Sequence, residues 1–168
     1  GIPSMAISAF LNYGPLMLYY GQEIGLKPNH AEGFQSDDGR TTIFDYWGLE
    51  EMAAWNNGGK WNTAKLTIEQ KSLRKKYQEI NEFATENEAI THGKFFDLQY
   101  ANKSNAAYND IKTYSFLRYT DNQKLLFVFN FDLENETIFD LTLPDLAFGM
   151  MKIDSKKMKL KAMNSKHK

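Results

Sequence analysis

The sequence predicts an α+β fold, because its two halves follow different hydrophobic periods. Before residue 90, apolar residues recur at helical spacing or run continuously, which is typical of helices packed against a parallel strand. After residue 92 they recur at every second position, as in antiparallel strands. We therefore expect two domains, residues 1–90 and residues 91–168, the second an antiparallel all-β domain formed as half of a β-sandwich or as an open meander.

Two short elements and a loop are predicted at the start of the chain. Residues 4–13 place apolar side chains around most of a short helix, which Gly14 and Pro15 then stop. Residues 16–20 are continuously apolar and too short for a helix, so we expect a strand covered on both faces. Residues 21–59 are rich in Gly, Asn and Asp and predict a long loop.

A long helix and four strands follow. Thr67 and Gln70 form a capping-box pattern that opens a helix at residues 67–86. Its apolar stripe consists of Leu73, Tyr77, Ile80 and Ala84, and the cations Lys71, Arg74, Lys75 and Lys76 are predicted to lie mainly on the solvated face. The strands are predicted at residues 94–101, 112–120, 123–131 and 136–143, with a turn at Asp121 and Asn122.

Composition and charge exclude several classes of function. The net charge of −1, from 20 basic and 21 acidic residues, gives no electrostatic basis for binding nucleic acid or an anionic membrane. The absence of cysteine excludes a disulfide scaffold, a thiolate metal site and a cysteine nucleophile. The three histidines are scattered without the spacing of metal ligands. The aromatic content of 14% suits either a β-core or stacking on sugar rings.

One segment resembles a known family motif. Residues 14–25, Gly-Pro-Leu-Met-Leu-Tyr-Tyr-Gly-Gln-Glu-Ile-Gly, closely resemble the eighth-strand motif of alpha-amylase-family glycoside hydrolases. Pro15 needs no donor at the start of a strand, and Gly21 allows a sharp turn at its end. Gln22 and Glu23 would then lie at the C-terminal rim of a barrel, where such enzymes build their sites.

Weaker similarities follow this motif. Residues 38–47 are similar to the Arg-Thr and Trp pattern that follows the eighth strand in many family members, although here the spacing from Thr41 to Trp47 is two residues longer. Residues 69–74 look like part of the eighth barrel helix. Residues 92–95 and 127–131 resemble the start and one strand of the family's C-terminal domain.

The resemblance implies the terminal β/α segment of a (β/α)8 TIM barrel followed by a C-terminal β-domain. Family members act on α-glucans with two Asp and one Glu at the ends of the fourth, fifth and seventh strands, by a retaining mechanism. These carboxylates would precede Gly1, so we expect a fragment that is itself inactive, with no cofactor and no metal in this chain, although the parent enzyme could bind Ca²⁺. The parent is expected to be a bacterial-type secreted, periplasmic or cell-surface enzyme, with a cytoplasmic one as the alternative.

Candidate substrate contacts lie in the loop after the motif. Arg40, Tyr46 and Trp47 are predicted to contact an α-glucan oligosaccharide, with Trp55 and Trp61 as further aromatic candidates; the alternative is that these aromatic residues only pack. Asp37, Asp38 and Asp45 match no calcium loop and are interpreted as solvated turn residues. Glu23 is interpreted as a buried carboxylate bonded to backbone rather than as a catalyst.

A second class of function remains open, namely a non-catalytic carbohydrate-binding or structural β-domain. The aromatic residues that alternate in the predicted strands suit a sandwich core better than an exposed sugar platform. One strand cannot close a barrel, so residues 16–20 should either pair with another chain, including a second copy, or be poorly ordered.

Overall fold

The computed structural model describes residues 1–27 and 49–163, which belong to two compact units. The first unit comprises Gly1–Ala9 and Gly14–Phe83, and the second comprises Phe10–Tyr13 and Ala84–Lys168. The α-helices are α1 (Ile2–Phe10), α2 (Glu50–Asn56), α3 (Ile68–Glu86), α4 (Glu88–Thr91), α5 (Gln99–Asn102) and α6 (Asp145–Met151). The strands are β1 (Lys94–Asp97), β2 (Thr113–Tyr119) and β3 (Lys124–Asn130). The α+β class is therefore confirmed.

Helix α1 lies closer to the N-terminus than the sequence predicted, since it begins at Ile2 rather than at residue 4 and ends at Phe10 rather than at residue 13. The Asn12 side chain explains the early end. Its Oδ1 atom accepts the backbone N–H of Tyr13 at 2.8 Å, so that N–H no longer needs a helical carbonyl.

The predicted strand at residues 16–20 is not formed, and the prediction that both of its faces are covered is wrong. The described part of this segment makes no sheet pairing, and Met17 and Tyr19 are 86% and 51% exposed. A strand requires a neighbour for its backbone groups, and the three described strands all pair among themselves in the second unit. Leu16, Met17 and Tyr19 of this segment therefore present apolar surface to solvent.

The core of the first unit is small and lies around α2. Ile24, Leu49, Met52 and Leu66 are buried together, and Tyr20, Leu26, Ala54 and Trp55 pack against them. Helix α2 falls in the region predicted to be a loop, so that prediction was wrong for residues 50–56. The capping box of α3 is confirmed, because Thr67 Oγ1 accepts the N–H of Gln70 and Gln70 Oε1 accepts the N–H of Thr67.

The second unit contains an antiparallel sheet in the order β1-β2-β3. The β2–β3 hairpin agrees with the predicted strands, and Thr120 Oγ1 accepts the N–H groups of Asn122 and Gln123 at its turn. Strand β1 ends at Asp97 instead of continuing to residue 101. The Asp97 carboxylate accepts the N–H of Gln99 at 2.9 Å, and this local bond starts α5.

The fourth predicted strand, at residues 136–143, is not formed either. Its backbone is instead held by side-chain amides at two places. Asn102, which is fully buried, accepts the N–H of Thr142 at 2.7 Å and donates to its carbonyl at 3.1 Å, and Asn105 donates to the Asp140 carbonyl at 2.9 Å. These amides satisfy backbone groups that a neighbouring strand would otherwise pair, so the segment does not need to join the sheet. Neither a barrel nor a two-sheet sandwich is present in the described residues.

Period-two alternation divides the side chains of the sheet between two faces. On one face, Phe116 is fully buried and stacks on Phe127 and Phe129 at ring separations of 4.9 and 5.8 Å. The other face carries the buried cluster Phe96, Leu98, Leu117, Tyr119, Ala147 and Met151, which includes two residues of α6. Helix α6 was not predicted from the sequence. The aromatic residues of the hairpin therefore serve mainly as core.

A buried cation joins three parts of the second unit. Arg118 of β2 is 1% exposed, and its guanidinium donates to the carbonyls of Ala89, Ile90, Gly93 and Leu11 over 2.6–3.1 Å. The Leu11 carbonyl lies one residue after α1, and the Ala89 and Ile90 carbonyls belong to the single turn of α4. Carbonyls at helix ends carry partial negative charge and lack helical partners, so the guanidinium satisfies them and is neutralised in part.

The loop after β3 contains a carboxylate, Asp132, that should make the stability of the protein depend on pH. The Lys112 ammonium at 2.8 Å, the Glu134 N–H and the Asn135 amide hold the pKa of Asp132 at about 2. Since the unfolded chain titrates near 3.9, Asp132 contributes stability above about pH 4 and loses it as pH falls towards 2. We expect Asp132→Asn to lower the urea midpoint at pH 6 and to converge with the wild type near pH 2. An Asp140→Asn control that showed the same pH pattern would contradict this assignment.

Candidate functional site

The tight turn after α2 has the most unusual backbone among the described residues. Asn57, at the C-terminus of α2, has φ 44°, Gly58 and Gly59 have φ 67° and 84°, and Trp61 has φ 48°. A β-carbon at either glycine would meet nothing within 4 Å, so these positions favour glycine for its conformation rather than for space. Trp61 has no such freedom. A tryptophan in the left-handed region is uncommon and costs about 1–3 kcal/mol.

Side-chain amides fix this turn. Asn56 accepts the Gly59 N–H on its Oδ1 atom at 2.7 Å, and its backbone carbonyl accepts the Trp61 N–H at 3.0 Å. Asn62 Oδ1 accepts both the Asn57 amide at 3.0 Å and the Ala64 N–H at 3.1 Å. The bonds at Asn56 and Asn62 thus hold the residues on both sides of Trp61, so its conformation is determined by its surroundings.

Trp61 lies against a second tryptophan. Its ring centroid is 6.5 Å from that of Trp55, with the ring planes at 72° in an edge-to-face arrangement. The Arg74 guanidinium lies 4.5 Å above the Trp55 ring, within the range of a cation–π contact. Trp55 also packs against the core of the first unit. Trp61, by contrast, is 49% exposed.

Arg74 corrects one sequence prediction. It was assigned to the solvated face of α3 with Lys71, Lys75 and Lys76, and those three lysines are exposed. Arg74 itself is half-buried on Trp55, and its Nε atom is buried without a hydrogen-bond partner in the part of the chain described. The signal was available, because Arg74 lies three residues before Tyr77 of the buried stripe and therefore borders it.

The family-like motif forms a glycine-dependent turn. Gly21 has φ 70°, and a β-carbon there would lie 2.8 Å from Leu26 and 3.2 Å from the sulfur of Met52. Both conformation and space therefore require glycine at this position, and the sharp turn predicted at Gly21 is present. Gly14 and Pro15, at the other end of the motif, are exposed.

Gln22 connects the motif turn to α3. Its Nε2 atom donates to the hydroxyl of the buried Tyr77 at 3.1 Å, and its Oε1 atom accepts the Tyr19 N–H at 3.3 Å. Glu23 is half-buried, whereas a buried rim carboxylate bonded to barrel backbone was predicted. These contacts give Gln22 a positioning role within the first unit.

The other predicted site residues cannot be placed. Arg40, Tyr46 and Trp47, together with the aspartates at 37, 38 and 45, lie outside the described residues. Within residues 1–27 and 49–163, no three His, Asp or Glu side chains come together as potential metal ligands. In the same ranges, no helix is both long and apolar enough to cross a membrane.

The sequence predicted Trp55 and Trp61 as further aromatic candidates for sugar contact, but not their contact with each other. The backbone strain at Trp61 has one sequence signal, the run Asn56-Asn57-Gly58-Gly59, which is typical of left-handed turns. Comparisons of the chain with protein-family models, with curated proteins and with solved structures gave no match. Any function assigned to the chain therefore depends on its own residues and contacts.

Proposed function

We propose that this chain is the C-terminal part of an alpha-amylase-like glycoside hydrolase that acts on α-glucans such as starch and maltooligosaccharides. Its first unit would supply the last strand and helix of a (β/α)8 barrel, and its second unit would correspond to the C-terminal β-domain. The observation that carries the proposal is the segment at residues 14–25, where a family-like sequence coincides with the exposed apolar side chains Leu16, Met17 and Tyr19.

The physical basis is the contrast between the two ends of that segment. Gly21 and Ile24 are buried in a turn that admits no side chain at Gly21. The preceding Leu16, Met17 and Tyr19 are exposed, although their hydrophobicity is typical of a strand buried on both faces. Contiguous exposed apolar surface of this kind usually marks an interaction site, and neighbouring barrel strands would cover it.

The chemistry would come from outside this chain. A retaining hydrolase needs two carboxyl groups about 5–5.5 Å apart, one as nucleophile and one as acid/base. By the family resemblance, those groups precede Gly1, so the 168-residue chain alone should be inactive. Arg40, Tyr46 and Trp47 remain predicted contacts to the α-glucan, and Ca²⁺ remains a predicted ligand of the parent enzyme only.

The alternative of a carbohydrate-binding β-domain receives less support from the sheet. Phe116 and Phe129 of the hairpin are buried and stack on one another, so they offer no platform for a sugar. A structural role for the second unit agrees better with these contacts. Self-association through residues 16–20 is the corresponding expectation for the isolated chain.

A charge introduced at Met17 should separate the isolated chain from the intact enzyme. In the 168-residue chain, kept at a concentration where it is monomeric, Met17 is exposed, so Met17→Asp should change the free energy of unfolding by less than about 0.5 kcal/mol. In the protein expressed from the complete reading frame the same change would bury a carboxylate in a barrel wall, which should prevent folding or cost several kcal/mol. Ile111→Asp, at a 90% exposed position of the second unit, is the matched control and should be silent in both.

The activity is tested on the protein expressed from the complete reading frame. With maltoheptaose as substrate, proton NMR should show shorter products that appear first as the α-anomer, as retention requires. The 168-residue chain should release none. The proposal would be refuted if the intact protein left maltoheptaose unchanged, or if the first product were the β-anomer.

A further inference from the structure

Residues 156–163 form a basic segment in the second unit. They contain four lysines and no acidic residue, and all four lysine side chains are exposed. Lysine occupies every second position of residues 157–161, with Met158 and Leu160 between, a pattern typical of an extended segment with one charged and one apolar side. Leu160 and Met163 are 69% and 58% exposed. The basic segment therefore presents positive charge and apolar surface to solvent.

Residues 133–140 form an acidic segment in the same unit. It contains no lysine or arginine. Its exposed acidic residues are Glu134, Glu136 and Asp140. Two of its apolar side chains, Leu133 and Ile138, are 89% and 92% exposed. The acidic segment thus matches the basic segment in exposure and carries the opposite charge.

Most of these charges have no partner of opposite sign in the part of the chain described. There, no ion pair involves the three carboxylates of the acidic segment, and Lys156, Lys159 and Lys161 of the basic segment form none either. Lys157 instead pairs with Asp154 at 3.6 Å. Three lysines and three carboxylates are therefore available to each other.

The backbone of both segments is also open. Among the described residues, no backbone-to-backbone hydrogen bond involves residues 133–140 or 158–163. Side chains bind three backbone groups of the acidic segment, namely the N–H of Glu134 and the carbonyls of Asn135 and Asp140. The remaining groups can bond to an added strand, which is a common way for extended segments to associate.

We propose that the basic segment of one chain docks on the acidic segment of a second copy, and that two copies exchange this contact reciprocally. Within one chain, no described ion pair or hydrogen bond joins the two segments. A second copy supplies the complementary charge in equal number, together with exposed apolar side chains. Two identical contacts related by a twofold axis close the dimer. This inference does not depend on the proposed function.

The distribution of charge favours a second copy over an anionic membrane. Residues 152–168 contain seven lysines and one aspartate. The rest of the chain therefore has 13 basic and 20 acidic residues, a net charge of −7. An anionic membrane would attract the lysines but repel the rest of the chain, whereas a second copy offers the lysines an acidic surface.

The test is sedimentation velocity of the 168-residue chain. Met17→Asp serves as the parent, so that residues 16–20 do not contribute to association. The parent should be a dimer at high micromolar concentration. Raising the salt concentration from about 0.05 M to about 0.5 M should increase the dissociation constant at least about tenfold, because exposed ion pairs are screened.

Charge reversal identifies the two surfaces. Variant A changes the basic segment by Lys156→Glu, Lys159→Glu and Lys161→Glu. Variant B changes the acidic segment by Glu134→Lys, Glu136→Lys and Asp140→Lys. Each variant alone has like charges on both segments, so its dissociation constant should rise at least about tenfold. An equal mixture of A and B has opposite charges in both contacts, so the dimer should return.

A third variant controls for net charge. Lys65→Glu, Lys71→Glu and Lys76→Glu change the net charge as much as variant A does, at exposed positions of the first unit. Its dissociation constant should stay within about twofold of that of the parent. Every changed side chain in the three variants is exposed, so circular dichroism should show the parent fold in each.

Four outcomes would overturn the inference. The first is a parent that stays monomeric at high micromolar concentration, and the second is a mixture of A and B that does not dimerise. The third is a control variant that dissociates as readily as variant A. The fourth is a monomeric parent that sediments with phosphatidylglycerol vesicles through the same lysines, which would identify an anionic membrane as the partner.

Discussion

Replacing Arg118 with methionine should lower the free energy of unfolding of the second unit by about 3–5 kcal/mol. Methionine fills part of the volume but leaves the carbonyls of Ala89, Ile90, Gly93 and Leu11 without their donor. Each buried carbonyl that loses its partner costs about 1–3 kcal/mol, and relaxation or entering water recovers a part. Burial lowers the pKa of Arg118, yet arginine stays charged in proteins, so the wild-type bonds remain charge-assisted.

Two further variants make this expectation specific. Arg118→Lys keeps the charge but has one nitrogen in place of a planar fork, so it should recover only about half of the loss. Lys94→Met removes an exposed cation from β1 and should cost less than about 0.5 kcal/mol. Chemical denaturation followed by circular dichroism measures all three. An Arg118→Met variant as stable as Lys94→Met would show that the four bonds contribute little.

Gly93→Ala should cost about 3 kcal/mol or more, although it adds a single methyl group. A β-carbon at Gly93 would overlap the carbonyl oxygen of Ala89 and lie 2.7 and 2.8 Å from two further backbone atoms of that residue. Backbone atoms cannot move aside as a flexible side chain can, so α4 would have to shift. Because Ala89 and Gly93 also bind Arg118, this shift would disturb the carbonyls that hold the guanidinium.

Gly149→Ala is the matched control within the same unit. A β-carbon at Gly149 meets nothing within 4 Å, and the residue lies in α6, so alanine should stabilise by about 0.5–1 kcal/mol. Opposite signs for the two substitutions, measured by thermal or urea unfolding, are the expected result. The double variant Gly93→Ala with Arg118→Met should cost less than the sum of the single changes, since both act on the same carbonyls. Equal effects of the two alanines would contradict the clash.

Local patterns in the sequence predicted the elements that depend on local contacts. The Thr67 and Gln70 cap needs only residues three apart, and the β2–β3 hairpin follows from alternation around a short polar turn. Period two at residues 136–143 predicted a strand just as well. Its backbone is held instead by Asn102, which is far away in sequence and gives no periodic signal.

The other misses have a similar cause. Nothing in the run around Arg118 indicates that its guanidinium rather than an apolar side chain is buried, because its four partners come from two other stretches of the chain, residue 11 and residues 89–93. Residues 16–20 carry the pattern of a covered strand, but a pattern specifies a face and does not supply the neighbour that covers it. The strained backbone of Trp61 is held by the side-chain amides of Asn56 and Asn62 together. The composition of this run does not predict their hydrogen bonds.

The Asn102 amide also determines how the second unit can open. In exchanging an N–H and a carbonyl bond with Thr142, one side chain reproduces the pattern of a paired residue in an antiparallel sheet. Leu141 and Leu143, on either side of that contact, help to cover the core behind the sheet. Fraying of the single-turn helix α5 would withdraw the amide from Thr142, so we expect Leu141 and Leu143 to be released together in local unfolding.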